Sequence, residues 1–243
     1  LIKPTSGIAK ILGLDSQHDS LHLKRVIGYL PWKLMQFPGV TAGYILKLLM
    51  NMRGVSDKSS IYELSERLQL DLSRKFQDLS HGNKQKVGLV QAFMHRPKIL
   101  ILDEPTLGLD PFIQRELKNM MEEYVSQGNT VVLSSHVLSE VESICNRIAL
   151  INVGRIVRVG TLEELRSTRI HKVTVVVKGE APQRGELEAK RAENVAIDGP
   201  LVSFQIRGTF DPVLKLFSEY EVLEFDSREL SLEEVFFSEV GAH

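Results

Sequence analysis

Ile99-Leu100-Ile101-Leu102-Asp103-Glu104-Pro105-Thr106-Leu107-Gly108-Leu109-Asp110-Pro111 decides how this chain of 243 residues is read. Four apolar residues run without a break into two adjacent carboxylates, and a turn carrying Pro, Gly and Asp follows. A short unbroken apolar run suits a strand buried on both faces of a parallel sheet, where no alternation is needed. Open α/β sheets bind their ligands outside the carboxyl ends of the strands. Asp103 therefore stands where it can hold a hard cation, and Glu104 where it can orient or deprotonate a water. That layout suits hydrolysis of a nucleoside triphosphate. Taken alone, the pattern is equally that of an acid capping the next turn, so the flanking sequence has to choose.

Upstream, Leu79-Ser80-His81-Gly82-Asn83-Lys84-Gln85-Lys86 leads into Val87, Leu89, Val90, Ala92, Phe93 and Met94, whose spacing is helical. Ser80 is a good N-cap. A Ser and a Gly at a helix start leave backbone N–H groups exposed, and with the helix dipole they make an anion site suited to phosphate. Two lysines, Lys84 and Lys86, do not make a nucleic-acid patch. Downstream, Asn129-Thr130-Val131-Val132-Leu133-Ser134-Ser135 reads as a second buried strand, and His136 ends it. A histidine there faces the ligand crevice or, more plainly, caps the helix beginning near Val137.

The ordered set LSHGN, a helix, ILILDEPTLGLDP and SSH resembles the ATP-binding subunit of an ABC transporter. Leu79 to Asn83 looks like the family's signature motif, Ile99 to Asp103 its Walker B strand, Leu107 to Asp110 its D-loop and His136 its switch histidine. The resemblance covers roughly residues 1–166. It implies an α/β fold with a P-loop NTPase-like parallel sheet and a helical subdomain, incomplete at the N-terminus. It also implies that two such domains sandwich ATP. One would supply Asp103 for Mg²⁺, Glu104 as the catalytic carboxylate and His136 at the γ-phosphate. The facing subunit would supply the nucleotide-binding set Leu79, Ser80, His81, Gly82 and Asn83, with Asp110 in the D-loop. The implied partners are an integral membrane permease subunit and a second ATP-binding subunit, as homodimer or heterodimer, at the cytoplasmic face of the membrane.

Three departures stand out. No G-x-x-x-x-G-K-[ST] occurs in the chain; by the family's layout that loop would lie about ten residues before Leu1. The expectation is a fragment lacking its first strand, phosphate loop and first helix, with little ATP binding of its own. After Val26-Ile27-Gly28-Tyr29-Leu30-Pro31, Trp32 and Lys33 stand where many members carry a Gln. Trp32 is expected to be exposed, either against the membrane subunit or in simple packing. His81 and Asn83 replace the commoner Gly and Gln of the signature, while Ser80 and Gly82 remain.

Apolar residues make up 43% and charged residues 25% of the chain, values usual for a globular protein. No run approaches the length of a transmembrane helix. The single Cys145 cannot form an internal disulfide, which fits a reducing compartment. Residues 1–100 carry 15 Lys and Arg against 7 Asp and Glu, and the remainder 15 against 24. The chain as a whole is therefore no general nucleic-acid binder. An ABC-family ATPase acting on nucleic acid or ribosomes would be expected to show a duplicated cassette, a coiled coil or a basic arm. A non-catalytic partner in a heterodimer is a third reading, opposed by Glu104 and His136.

The expected domains are an ATP-binding domain over 1–168, with its helical subdomain at about 38–95, and a small α+β domain over 171–243, ferredoxin-like in kind. Strands are expected at Ile8–Leu12 and Val26–Leu30, with a polar link between. Helices are expected from Thr41, capped by its hydroxyl, to near Gly54, over Ser60–Leu68, from Pro111 to about Ser126, and over Val137–Cys145. A hairpin should turn at Gly154. In the tail, strands are expected at Val173–Val177, Val195–Ile197, Leu201–Ile206 and Tyr220–Phe225, with a helix over Asp211–Glu219. Gly179–Glu193 reads as turns, and Ser231–Phe237 as a closing capped helix. That last pattern, S-L-E-E-V-F, also resembles the tail of ATPase subunits of drug, antibiotic and polysaccharide exporters.

Overall fold

The computed structural model describes residues 4–166, 170–230 and 234. It opens with a two-residue pair of strands, β1 (Lys10–Ile11) and β2 (Leu14–Asp15), followed by helix α1 (Ser20–Val26) and strand β3 (Ile27–Leu30). The stretch expected to be a polar link is therefore helical in its second half. With Leu23 its only buried residue and no side-chain cap, α1 gives almost no periodic signal. Helix α2 (Ala42–Met52) starts as expected, because Thr41 Oγ1 accepts from Tyr44 N–H at 3.2 Å. Helices α3 (Ser59–Arg67) and α4 (His81–Phe93) complete the helical part. Ser80 caps α4, its hydroxyl accepting from Asn83 N–H at 3.3 Å.

Strand β4 (Ile99–Asp103), helix α5 (Pro111–Ser126) and strand β5 (Thr130–Ser134) follow. The strands β3, β4 and β5 form one parallel sheet with β4 in the middle, Tyr29 beside Ile101 and Asp103 beside Ser134. Leu30, Leu100 and Leu102 are buried. Helix α4 lies close on β3 because Gly28 has no side chain: a Cβ there would fall 2.1 Å from the Ala92 carbonyl oxygen. Two ion pairs fix α3 to α5, with Arg67 Nε 2.5 Å from Glu116 and its terminal nitrogens 2.7 and 2.8 Å from Glu123. The expectation of full burial fails for β5. Its residues alternate, and Val132 is 53% exposed, because among the described strands β5 pairs only with β4 and so forms a sheet edge.

Backbone contacts divide the chain into two compact units, Leu1–His136 and Val137–His243. This division precedes the composition change at 168–171. Helix α6 (Leu138–Ile144), the hairpin β6 (Arg147–Asn152) and β7 (Arg155–Thr161), and helix α7 (Leu162–Arg166) belong to the second unit. The hairpin turns at Val153 and Gly154, both with positive φ, the geometry of a tight primed turn. These elements share a small core of Val141, Ile148 and Leu150, with the half-buried Cys145 packed on it.

The rest of the second unit has its own core. Strand β8 (Ile170–Val177), helix α8 (Arg184–Ala189), strands β9 (Ala192–Asp198) and β10 (Leu201–Arg207), helix α9 (Asp211–Phe217) and strand β11 (Val222–Glu229) run β-α-β-β-α-β. The sheet is antiparallel in the order β11-β8-β10-β9, which gives the ferredoxin-like arrangement expected from the tail. Inward residues alternate strictly. Val173 faces Phe204 and Val175 faces Val202 across the β8–β10 ladder, and all four are buried with Phe217. Helix α8 replaces part of the expected turns and carries a capping box between Gln183 and Glu186. The closing helix expected at Ser231–Phe237 lies outside the described residues apart from Glu234, which pairs with Arg228 at 2.7 Å.

Candidate functional site

The carboxyl ends of β4 and β5 bring the expected acids and histidine together. Ser134 Oγ donates to Asp103 Oδ1 at 2.5 Å and lies 3.2 Å from Glu104 N, which also donates to the Ser134 carbonyl at 3.2 Å. His136 Nδ1 lies 2.9 Å from Glu104 Oε1, and Glu104 is only 13% exposed. Glu104 has φ +48°, a left-handed backbone that an L residue adopts at a cost. The chain thus leaves the strand sharply at the carboxylate, which turns the Glu104 side chain toward His136 rather than along the next strand position. Ser134 was not singled out from sequence. Its place directly opposite Asp103 in the parallel register is a signal that becomes readable only once the two strands are aligned.

The turn after Glu104 is held from two helices. Gln85 in α4 is 4% exposed, and its carboxamide nitrogen donates to the carbonyls of Glu104 (2.9 Å) and Pro105 (3.4 Å). Gln114 in α5 reaches the carbonyls of Thr106 (3.4 Å) and Leu109 (3.3 Å). Asp110 caps α5, its Oδ1 accepting from Phe112 and Ile113 N–H at 3.1 and 3.0 Å. Asp110 thus has a helix-capping task at the end of this turn.

The start of α4 abuts this same turn. A Cβ on Gly82 would fall 2.4 Å from the Gly108 carbonyl, and one on Gly108 would fall 2.7 Å from the His81 ring. Gly82 is thereby required by close approach, and Gly108 also by its φ of +73°. Ser80 and His81 are exposed and Gly82 and Asn83 half-exposed at the helix N-terminus. Leu79 differs from them in being 5% exposed, its side chain packed in the core. Trp32 is 55% exposed, as its position suggested.

Mg²⁺ takes one or two carboxylates, with waters and substrate phosphates completing its shell. Asp103 with the adjoining Ser134 hydroxyl fits that sparse donor set. Among the described residues no group of three or more His, Cys, Asp or Glu could cage a metal by itself.

A parallel sheet with packed helices, paired acids and a histidine at the strand ends, and a phosphate-suited helix start nearby defines an ATP-binding cassette of the α/β class. The family model described as ABC transporter matches residues 1–107. An uncharacterized ABC transporter ATP-binding protein of Alkalihalophilus pseudofirmus is 32% identical over 185 residues, covering 74% of this chain and 68% of that protein. The bacitracin transport ATP-binding protein BcrA of Bacillus licheniformis is 34% identical over 71% of this chain and 56% of its own length. The probable multidrug ABC transporter ATP-binding protein YbhF of Escherichia coli is 33% identical over 69% of this chain and 30% of its own. A solved ATP-binding subunit of an ABC transporter superposes with a TM-score of 0.62 at 29% identity, covering 68% of this chain and 71% of that one. A dimeric ATP-binding cassette in a post-hydrolysis state bound to ADP and Pi gives 0.57 at 26% identity, covering 66% and 75%. The chain belongs to the ATP-binding subunits of ABC transporters. It spans 68%, 56% and 30% of the length of these three relatives.

Proposed function

We propose that the chain is the motor part of an ABC-type exporter, coupling ATP hydrolysis in a dimer to movement in a separate membrane permease. The observation that carries this reading is the Glu104 carboxylate, little exposed at the end of β4 and 2.9 Å from His136. A carboxylate so placed can take a proton from a water attacking a γ-phosphate, while the imidazole stabilises charge on the phosphate oxygens. Asp103 would hold the Mg²⁺ that accompanies ATP, which supplies charge neutralisation at the phosphates. Ser80 and Gly82, at the N-terminus of α4, would meet the γ-phosphate of a nucleotide held mainly by the other subunit.

The pattern G-x-x-x-x-G-K-[ST], whose amides and lysine cradle a triphosphate, does not occur in the 243 residues. The stretch alone is proposed not to turn over ATP. Export is favoured by the transport of bacitracin and multiple drugs named for the relatives. Docking on a membrane partner, at the cytoplasmic face, is supported by the exposed Tyr44, Leu48 and Met52. They recur every fourth residue along α2 and so form one apolar stripe. Among the described residues no helix is long and apolar enough to cross a membrane.

In the whole gene product, Glu104→Gln should lower ATP turnover by on the order of 100-fold or more and leave an ATP-bound dimer that survives gel filtration. Hydrolysis at the unsubstituted rate would remove Glu104 from its assigned role.

A further inference from the structure

Gln85 is a neutral residue of helix α4 with nothing in composition or spacing to mark it. Its carboxamide is nonetheless buried and uses its nitrogen on the carbonyls of Glu104 and Pro105, at 2.9 and 3.4 Å. A primary amide has two N–H donors, and each carbonyl here can take one. Glu104 is the residue held in the left-handed conformation, φ +48°. Such a backbone persists only where its surroundings over-determine it. Three bonds do so: Glu104 N–H to Ser134, Leu107 N–H back to the Glu104 carbonyl at 3.2 Å, and the Gln85 amide to that same carbonyl. Of these, only the Gln85 bond comes from α4, the helix whose first turn holds Ser80 and Gly82.

We propose that Gln85 is a positioning residue: it fixes the backbone turn that aims the Glu104 carboxylate and ties that turn to the helix carrying Ser80 and Gly82. The contact of Gly82 with the Gly108 carbonyl makes a second tie between the same two segments. In a dimer of the kind proposed above, the helix start serves one nucleotide and Glu104 the other. A shift of α4 on loss of a phosphate would then be felt at the second carboxylate through the buried Gln85 amide and the Gly82–Gly108 approach. This inference rests on the proposed function for its catalytic meaning, and on geometry alone for the tie.

The test uses the whole gene product with Gln85→Met, which keeps the volume and removes both donors, and Gln85→Glu, which keeps the shape and offers a carbonyl-repelling acceptor. Hydrogen–deuterium exchange of the peptide spanning Asp103–Leu109, without nucleotide, should speed up about tenfold or more in both while exchange in β4 above it stays unchanged. ATP turnover should fall on the order of 10- to 100-fold, as for a catalytic group displaced by a fraction of an ångström. KM for ATP should stay within about twofold, because Gln85 is placed to touch no part of the nucleotide. Unchanged exchange would overturn the tie. Faster exchange with full turnover would overturn the positioning role. A rise in KM at constant kcat would make Gln85 a residue of the nucleotide pocket and overturn it too. Absence of hydrolysis in the unsubstituted protein would sink the proposed function while leaving the exchange result to judge the tie.

Discussion

The two larger sheets among the described residues use their sequence in opposite ways. In the parallel sheet β3-β4-β5, the informative residues sit at the strand ends: Asp103 and Glu104 after β4, Ser134 and His136 at and after β5. That region carries a left-handed glutamate, two glutamines spent on a turn, and an edge strand with an exposed valine. In the antiparallel sheet β11-β8-β10-β9, the informative residues are in the strand middles, where Val173, Val175, Val202 and Phe204 alternate inward onto two helices. The first sheet spends stability on a site. The second spends sequence on a core.

The sharpest way to break that contrast is to empty the second core. Phe204 is buried and stacks on Phe217 with ring centroids 6.0 Å apart. Phe204→Ala should cost about 3–5 kcal/mol, read as a lowered denaturation midpoint together with lost exchange protection in β8 and β10. Protection in β4 should persist; if it disappears in step, the two sheets unfold as one cooperative unit and the contrast is only one of sequence.

A smaller effect belongs to the first unit. Burial, helped by the nearby Arg53 charge, pushes the His95 pKa down from 6.5 to about 4, while its Nε2 lies 3.1 Å from the Ile27 carbonyl. Its folded pKa is depressed, so the unfolded chain takes up the proton first as pH falls. Stability is full above about pH 6.5 and should decline by roughly 1–3 kcal/mol between there and pH 4. His95→Gln should flatten that decline in a thermal-melt series over the same window. An unchanged slope would place the acid sensitivity elsewhere.

The smallest effect concerns Arg67. The hydrogen bond to Glu123 is the main cause that raises its pKa, and it joins α3 to α5. The partners are partly exposed, so Arg67→Ala should cost only about 1 kcal/mol, measured by urea denaturation, and less at high salt. A loss several times larger would mean that the helices depend on this ion pair rather than on their apolar faces.

These particulars also say what a sequence can disclose. The apolar run before Asp103, the Ser80 and Thr41 caps and the alternation of β8 and β10 were legible because each is a local pattern with its own physical cause. His136 and Glu104 were legible as separate positions, and their resemblance to a known family joined them before the coordinates did. Helix α1 was lost because one buried leucine makes no period. Helix α8 was lost although Gln183 and Glu186 spell a capping box, since only Leu187 is buried behind it. Leu79 was grouped with the nucleotide residues because a motif is contiguous in sequence; burial then separates it from its neighbours. Gln85 and Ser134 could not be found, because the carbonyls and carboxylate they serve lie 19 and 31 residues away.

The backbone of Glu104 has one more consequence. A side chain at φ +48° costs on the order of 1 kcal/mol that glycine would not. Natural selection for thermal robustness alone would drift position 104 away from glutamate. On the proposed function, its presence there is a trade-off between persistence of the fold and the placing of a carboxylate, and relatives that do not hydrolyse ATP would be free to relax at this position.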